Sequence, residues 1–97
     1  MWIGWMECDV LLGDVQSLKE KRSVLRPVVA EVRRRFDVSV AEVEFQELHR
    51  RAVIGAALVA ADRAHAVEVL DAVERYLAYR PGMDLLSVRR RTVTGDD

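Results

Sequence analysis

SLKEKRSVLRPVVAEVRRRF, residues 17 to 36, is the stretch that decides the fold, and its spacing predicts a helix. Ser17 with Glu20 three residues on forms a capping box, in which the serine oxygen accepts a backbone N–H and the glutamate reaches back to the cap. Leu18, Leu25, Val28, Val29, Val32 and Phe36 recur at helical spacing and make one apolar face. At roughly 100° per residue, Lys19, Arg22, Arg26 and Arg33 fall along one flank of that face while Glu20 and Glu31 lie on the far side. The helix is charge-polarised across its width. Pro27 is the exception inside it, since proline lacks an N–H and clashes with the preceding turn. A kink near Ser23 is expected, or a helix regular only from there on.

Outward from this helix the pattern changes period. On its N-terminal side residues 2 to 12 alternate, with Trp2, Gly4, Met6, Cys8, Val10 and Leu12 on one side and Ile3, Trp5, Glu7, Asp9 and Leu11 on the other, which predicts a two-faced strand. On its C-terminal side residues 38 to 45 predict a second strand, 47 to 51 a short polar connection, and 52 to 60 a third strand, antiparallel to the second because the connection is so short. The third is apolar or small throughout, as suits a central strand. Gly55 and Ala57 leave one of its faces nearly flat. Asp62 caps a second helix with Ala66, Val69, Leu70, Val73, Tyr76 and Leu77 inward, ended by Pro81 and Gly82, and 85 to 93 form the last strand. The order β-α-β-β-α-β predicts an α+β, ferredoxin-like sandwich, a four-stranded antiparallel sheet with both helices on one face. One domain spans residues 1 to 94, with 95 to 97 as a tail. The expected core comprises Met6, Cys8, Val10, Leu25, Val29, Val32, Phe36, Ile54, Ala56, Leu58, Val69, Leu70, Val73 and Leu77.

Composition narrows the classes of function. The 97 residues suit one domain with a modest core. No apolar run approaches the roughly 20 residues of a membrane span, and the start lacks the basic region of a signal peptide, so a cytosolic protein with no membrane partner is expected. Cys8 stands alone, with neither a disulfide partner nor zinc-ligand spacing, and a buried thiol in a reducing compartment is expected. The net charge of −1 hides a polar distribution: residues 18 to 36 carry seven bases and two acids, residues 37 to 48 four acids and no base. Any nucleic-acid contact therefore has to come from a local patch. The two lysines, Lys19 and Lys21, both lie in the first helical turn among thirteen arginines elsewhere.

At SLKEKRSVLR, FDVSVAEVE and IGAALV the chain resembles the YlxP-like family of small bacterial proteins. The resemblance covers essentially the whole length. It implies a ferredoxin-like fold and no established enzymatic activity. Genes of the family often lie between those for a translation initiation factor and a ribosome-binding factor, which implies an RNA or ribosome role by association. Two departures stand out. Asp37 replaces a usual asparagine, and Leu48 and His49 lie where many members carry an aspartate-hydrophobe-tryptophan run, so a function resting on that tryptophan is in question here.

No motif for catalysis emerges. His49 and His65 lie on different elements, with His65 expected at the surface, and nothing pairs Cys8 with a base. Glu42, Glu44 and Glu47 along an edge strand serve to protect that edge more often than to hold a cation. The glycines are scattered, with no phosphate-cradling loop. No catalytic residue, metal site, cofactor or small-molecule substrate is evident. Two roles are expected. In the first, a non-catalytic module binds ribosomal RNA or a ribosomal subunit through Lys19, Lys21, Arg22, Arg26, Arg33, Arg50 and Arg51. In the second, a scaffold protein forms a homodimer through the open sheet face at Ile3, Trp5, Val53, Gly55, Ala57 and Val59, with no nucleic-acid role. The sheet itself is a poor platform for base stacking, because Val53, Gly55, Ala57 and Val59 offer no aromatic rings and Trp5 stands beside Glu7 and Asp9. Those two acids are expected to pair with Arg89 and Arg91.

Overall fold

The strand β1 (Trp2–Leu12) is the spine of the sheet, flanked on both sides by antiparallel partners: β3 (Arg51–Ala60) and β4 (Met83–Thr94). The computed structural model describes residues 1–96. Beyond β3 lies β2 (Ser39–Glu44), giving the order β2-β3-β1-β4, with helices α1 (Leu18–Phe36) and α2 (Arg63–Ala78) as the crossovers. This is the expected ferredoxin-like α+β sandwich. Helix α1 packs against β2, and α2 packs against β1, β4 and β3. Gly95 and Asp96 follow β4, with the Gly95 N–H donating to the Met1 carbonyl at 3.2 Å. Asp97 of the expected tail lies outside the described residues.

Alternation along β1 sorts its side chains cleanly. Met6, Cys8, Val10 and Leu12 are buried beneath the helices, where they meet Leu25, Val28 and Val32 of α1 and Leu70, Val73 and Leu77 of α2. Ile54 and Ala56 of β3 complete the layer. Four expected core members, Val29, Phe36, Leu58 and Val69, are partly buried around its margin. Phe36 meets Tyr76 edge to face, ring centroids 5.8 Å apart, and so joins the ends of the two helices. Gly4 is required by close packing rather than by backbone freedom: a Cβ there would stand 3.2 Å from Leu70 Cδ1 and 3.3 Å from Leu58 Cδ2.

Local chemistry sets the ends of α1. The Ser17 hydroxyl accepts from the Glu20 N–H at 3.1 Å, as the capping box requires. Glu20 reaches back one residue further than expected, accepting from the Gln16 N–H at 3.2 Å instead of that of Ser17. The helix begins at this cap and runs unbroken through Pro27, so a helix regular only from Ser23 onward is not what forms. Ser23, whose carbonyl loses its partner to the proline, and Pro27 both lie on the exposed side, where solvent can satisfy that carbonyl. Asp37 ends the helix in the left-handed region at φ 53°, its N–H donating to the Arg33 carbonyl at 3.2 Å. Asparagine and aspartate both tolerate that conformation, so the departure at 37 preserves the cap.

Two irregularities shape the sheet edges. In β2 the register shifts between Glu42 and Glu44, leaving Val43 as a bulge. In β4 the shift lies opposite Asp9 and Val10 and leaves Leu86 unpaired and exposed. Bulges re-aim the side chains that follow them. Past the first one, Phe45 takes a left-handed φ of 62° and opens the turn towards β3.

Candidate functional site

The seven cations expected to form one basic surface are divided by the fold into engaged and free groups. Lys21 is the clearest correction. It lies two per cent exposed in the same stripe as Leu25, Val28 and Val32, and its ammonium points away from solvent. Nζ donates to the carbonyls of Phe45 at 2.6 Å and Leu48 at 2.7 Å and approaches Glu42 Oε2 at 2.7 Å. That last approach pairs the charges without hydrogen-bond angles, and among the described residues the buried carboxylate oxygen has no hydrogen-bond partner. Lys21 is a staple between α1 and the turn after β2, and its buried ammonium is out of reach of a phosphate at the surface.

Three arginines are likewise engaged. Arg50 Nε donates to the carbonyls of Leu12 at 3.2 Å and Gly13 at 2.8 Å, fixing the end of β1. Arg51 grips Asp9 with two donors, Nε to Oδ1 at 3.1 Å and Nη2 to Oδ2 at 2.6 Å, while its guanidinium stacks 5.1 Å from the Phe45 ring centroid. Arg51 is thereby paired with an acid, while Arg50 stays exposed with only its Nε engaged among the described residues. Arg33 stays exposed but donates from Nη2 to the Val40 carbonyl at 3.0 Å, tying the end of α1 to β2. Lys19, Arg22 and Arg26 remain. All three are exposed on the expected flank, and among the described residues they make no hydrogen bond or ion pair.

The open sheet face also divides. Glu7 pairs with Arg89 at 3.0 Å and Asp9 with Arg51, whereas Arg91 stands in register with Trp5 and does not join those acids as expected. Val53 is five per cent exposed, hemmed in by the end of β2, where Glu44 is its strand partner and Phe45 lies alongside. It is no part of a free face. The bulged Val43 leans over Gly55, 3.0 Å from where a Cβ would be, so that glycine is covered as well. The apolar surface left is Ile3, Trp5 and Ala57 with Val59, which is 62% exposed.

Chemistry elsewhere is restrained. Burial pushes the Cys8 thiol up to about 12, with the Glu74 charge adding to the rise and Arg90 opposing it. Such a thiol stays protonated and inert as a nucleophile. Glu42 is committed to Lys21, while Glu44 and Glu47 are exposed, and among the described residues no three His, Cys, Asp or Glu side chains gather to hold a metal ion. His49 is exposed, and so is His65, whose backbone N–H donates to the capping Asp62 at 2.8 Å. Sequence reasoning missed Arg90, which projects from β4 to α2 and binds Asp71 at 2.8 Å and Glu74 at 3.2 Å. Its signal was available: Arg90 shares strand alternation with Val88, and both face the helices.

Comparisons with known proteins agree with this architecture. A solved structure, the de novo designed protein Foldit4, superposes with a TM-score of 0.56 at 12% identity, covering 97% of this chain and 98% of its own, a likeness of fold alone. A relative from Bacillus subtilis (strain 168), described as uncharacterized protein YlxP, is 35% identical over 92 residues, which is 95% of this chain and 94% of the relative. No helix is long and apolar enough to cross a membrane among the described residues. The family model for proteins of unknown function called DUF503 matches residues 3–90, and the chain belongs to that family.

Proposed function

We propose that this protein is a non-catalytic cytosolic binding module that meets the phosphate backbone of ribosomal RNA with the outward flank of α1. The observation carrying this reading is the contrast among its cations: Lys21 and Arg51 are held in ion pairs within the fold, whereas Lys19, Arg22 and Arg26 stand exposed along one flank with no ion pair among the described residues. A row of unpaired cations on an otherwise balanced chain repels itself unless a polyanion lies along it. Glu20 and Glu31 keep to the other side, and Glu31 is held there by Arg34 at 2.7 Å. The sheet face supports no stacking mode, because the β3 residues beside Trp5 on that face, Val53, Gly55, Ala57 and Val59, carry no ring. Crosslinking to ribosomal subunits tests partner and surface together. Reversing Arg22 and Arg26 to glutamate should weaken binding uniformly across RNA sequences, and unaltered binding with an intact fold overturns the reading.

A second reading is favoured by one observation, the 62% exposure of Val59 beside Ile3 and Trp5. In it the protein is a homodimeric scaffold whose two-fold interface is the apolar end of the open sheet. Val59→Glu should then yield monomers, and a monomeric parent protein at tens of micromolar by sedimentation removes this reading.

A further inference from the structure

Arg63, Val67, Arg90, Arg91 and Thr92 line a cavity of about 380 Å³ where the start of α2 meets the outer edge of β4. Three of the five are arginines and none is an acid. Consecutive strand residues point to opposite faces, so Arg90 and Arg91 wrap the cavity around the edge of the sheet, which is reachable because β4 has no neighbour on that side. Arg90 forms a fixed wall. Its Nη1 is held by Asp71 and Glu74, and Nη2 donates to the Val67 carbonyl at 3.3 Å. Those two carboxylates more than offset its charge. Arg63 and Arg91, by contrast, are exposed and make no hydrogen bond or ion pair among the described residues. Asp62, the acid beside Arg63 in the chain, is occupied as the cap of α2.

Two arginines that are unpaired among the described residues therefore border one cavity, with Thr92 and no acid among its lining residues. An anion in the cavity is within reach of both side chains, and the planar fork of donors on each matches a pair of phosphate oxygens. We propose that this is a phosphate-binding site, with Arg63 and Arg91 as the clamp and the Thr92 hydroxyl as a further donor, and that its ligand is a small phosphomonoester. A monoester offers the clamp a terminal phosphate with three free oxygens, whereas a backbone phosphodiester offers two. The volume also lies at the small end of the pockets that take small molecules, about 300 to 1,000 Å³. The site is independent of the α1 flank, because α1 packs against β2 and this cavity borders β4 at the other end of the sheet.

Amide chemical shifts followed by NMR at constant ionic strength test it, with three probes: inorganic phosphate, adenosine 5′-monophosphate, and an oligoribonucleotide lacking terminal phosphates. Both small probes should give saturable shifts centred on Arg63, Val67 and Thr92. The pair Arg63→Gln with Arg91→Gln should weaken them about tenfold or more, as loss of charge-assisted bonds implies, while Arg22→Glu with Arg26→Glu leaves them unchanged. Arg63→Gln alone gives the same direction of change should the double variant lose its fold. Shifts that grow linearly over all exposed arginines, or equal affinity in the variants, overturn the site. Saturation of the cavity by the oligoribonucleotide in preference to the monoester overturns the assignment of its ligand.

Discussion

The ammonium of Lys21 stands 2.6 Å from the Phe45 carbonyl oxygen, so a side chain from the first turn of α1 holds the backbone where β2 turns back towards β3. The same ammonium donates to the Leu48 carbonyl and pairs in charge with Glu42, and it lies buried inside the protein. Removing one partner of a buried pair is costly because the other charge is left uncompensated. Lys21→Met should destabilise the fold by about 3 to 5 kcal/mol in chemical denaturation. Arg22→Gln next to it should change stability by no more than about 0.5 kcal/mol. Equal effects at the two positions would contradict the division between staple and surface.

Leu25 stands one turn along the same stripe, four per cent exposed between α1 and the sheet. Leu25→Ala should cost about 2 to 5 kcal/mol, the transfer term plus the cavity left behind. A loss well under 1 kcal/mol would place this face of the helix outside the core.

The two glycines that face side chains should respond differently to a methyl group. At Gly4 it meets Leu70 and Ala66, both fully buried, together with Leu58, so Gly4→Ala should cost about 1 to 3 kcal/mol through overpacking. At Gly55 it meets only Val43, which is 46% exposed and can rotate away, so Gly55→Ala should stay within about 1 kcal/mol of neutral. Thermal melts of the two variants check the contrast. A tolerant Gly4 would mean that α2 lies further from β1 than its packing indicates.

Cys8 links burial to pH. Its thiol has an ordinary value of 9.0 and rises to about 12 in the fold, so the folded chain holds this proton more tightly than the unfolded one. The contribution is intact below pH 9 and is lost as pH climbs from 9 through 12, at about 1.4 kcal/mol per pH unit in that window. At pH 8 an aromatic disulfide reagent should react with Cys8 only at the rate of unfolding. Rapid labelling of the native protein would show that the thiol is reachable.

Element order, the Ser17 and Asp62 caps and the inward face of β1 were legible because each rests on a local period or a short motif. The staple was legible too, but only by comparing elements. Lys21 falls at the core position of a stripe that continues through Leu25, Val28 and Val32, and Glu42 falls at the core position of an alternation with Val38 and Val40. Opposite charges at core positions of neighbouring elements predict a buried pair. What no local pattern carries is the bulge at Val43. It turns Phe45 beside Val53 and brings Arg51 over the Phe45 ring, which removes one residue from each expected surface. The Arg50 tie was illegible for a similar reason, since its acceptors on Leu12 and Gly13 lie 37 or more residues away in the chain.

The reduced α1 flank makes a quantitative prediction that differs from that of the full stripe. Lys19, Arg22 and Arg26 make no hydrogen bond or ion pair among the described residues, whereas Arg33 already serves the Val40 carbonyl, which holds its guanidinium towards β2. Three contacts with a single strand give a log-log salt slope of about −2, taking roughly 0.7 per contact, where four would give about −3. Binding of single-stranded ribosomal RNA measured between about 50 and 200 mM salt separates the two. Arg26→Gln should reduce the slope by one contact and weaken every sequence alike, because phosphates carry no sequence information. Arg33→Gln should leave the slope unchanged and lower the melting temperature by removing a tie between α1 and β2. A slope that falls equally with Arg33→Gln would show that its guanidinium exchanges Val40 for the nucleic acid. No dependence on either substitution, with binding retained, would move the interface off α1 altogether.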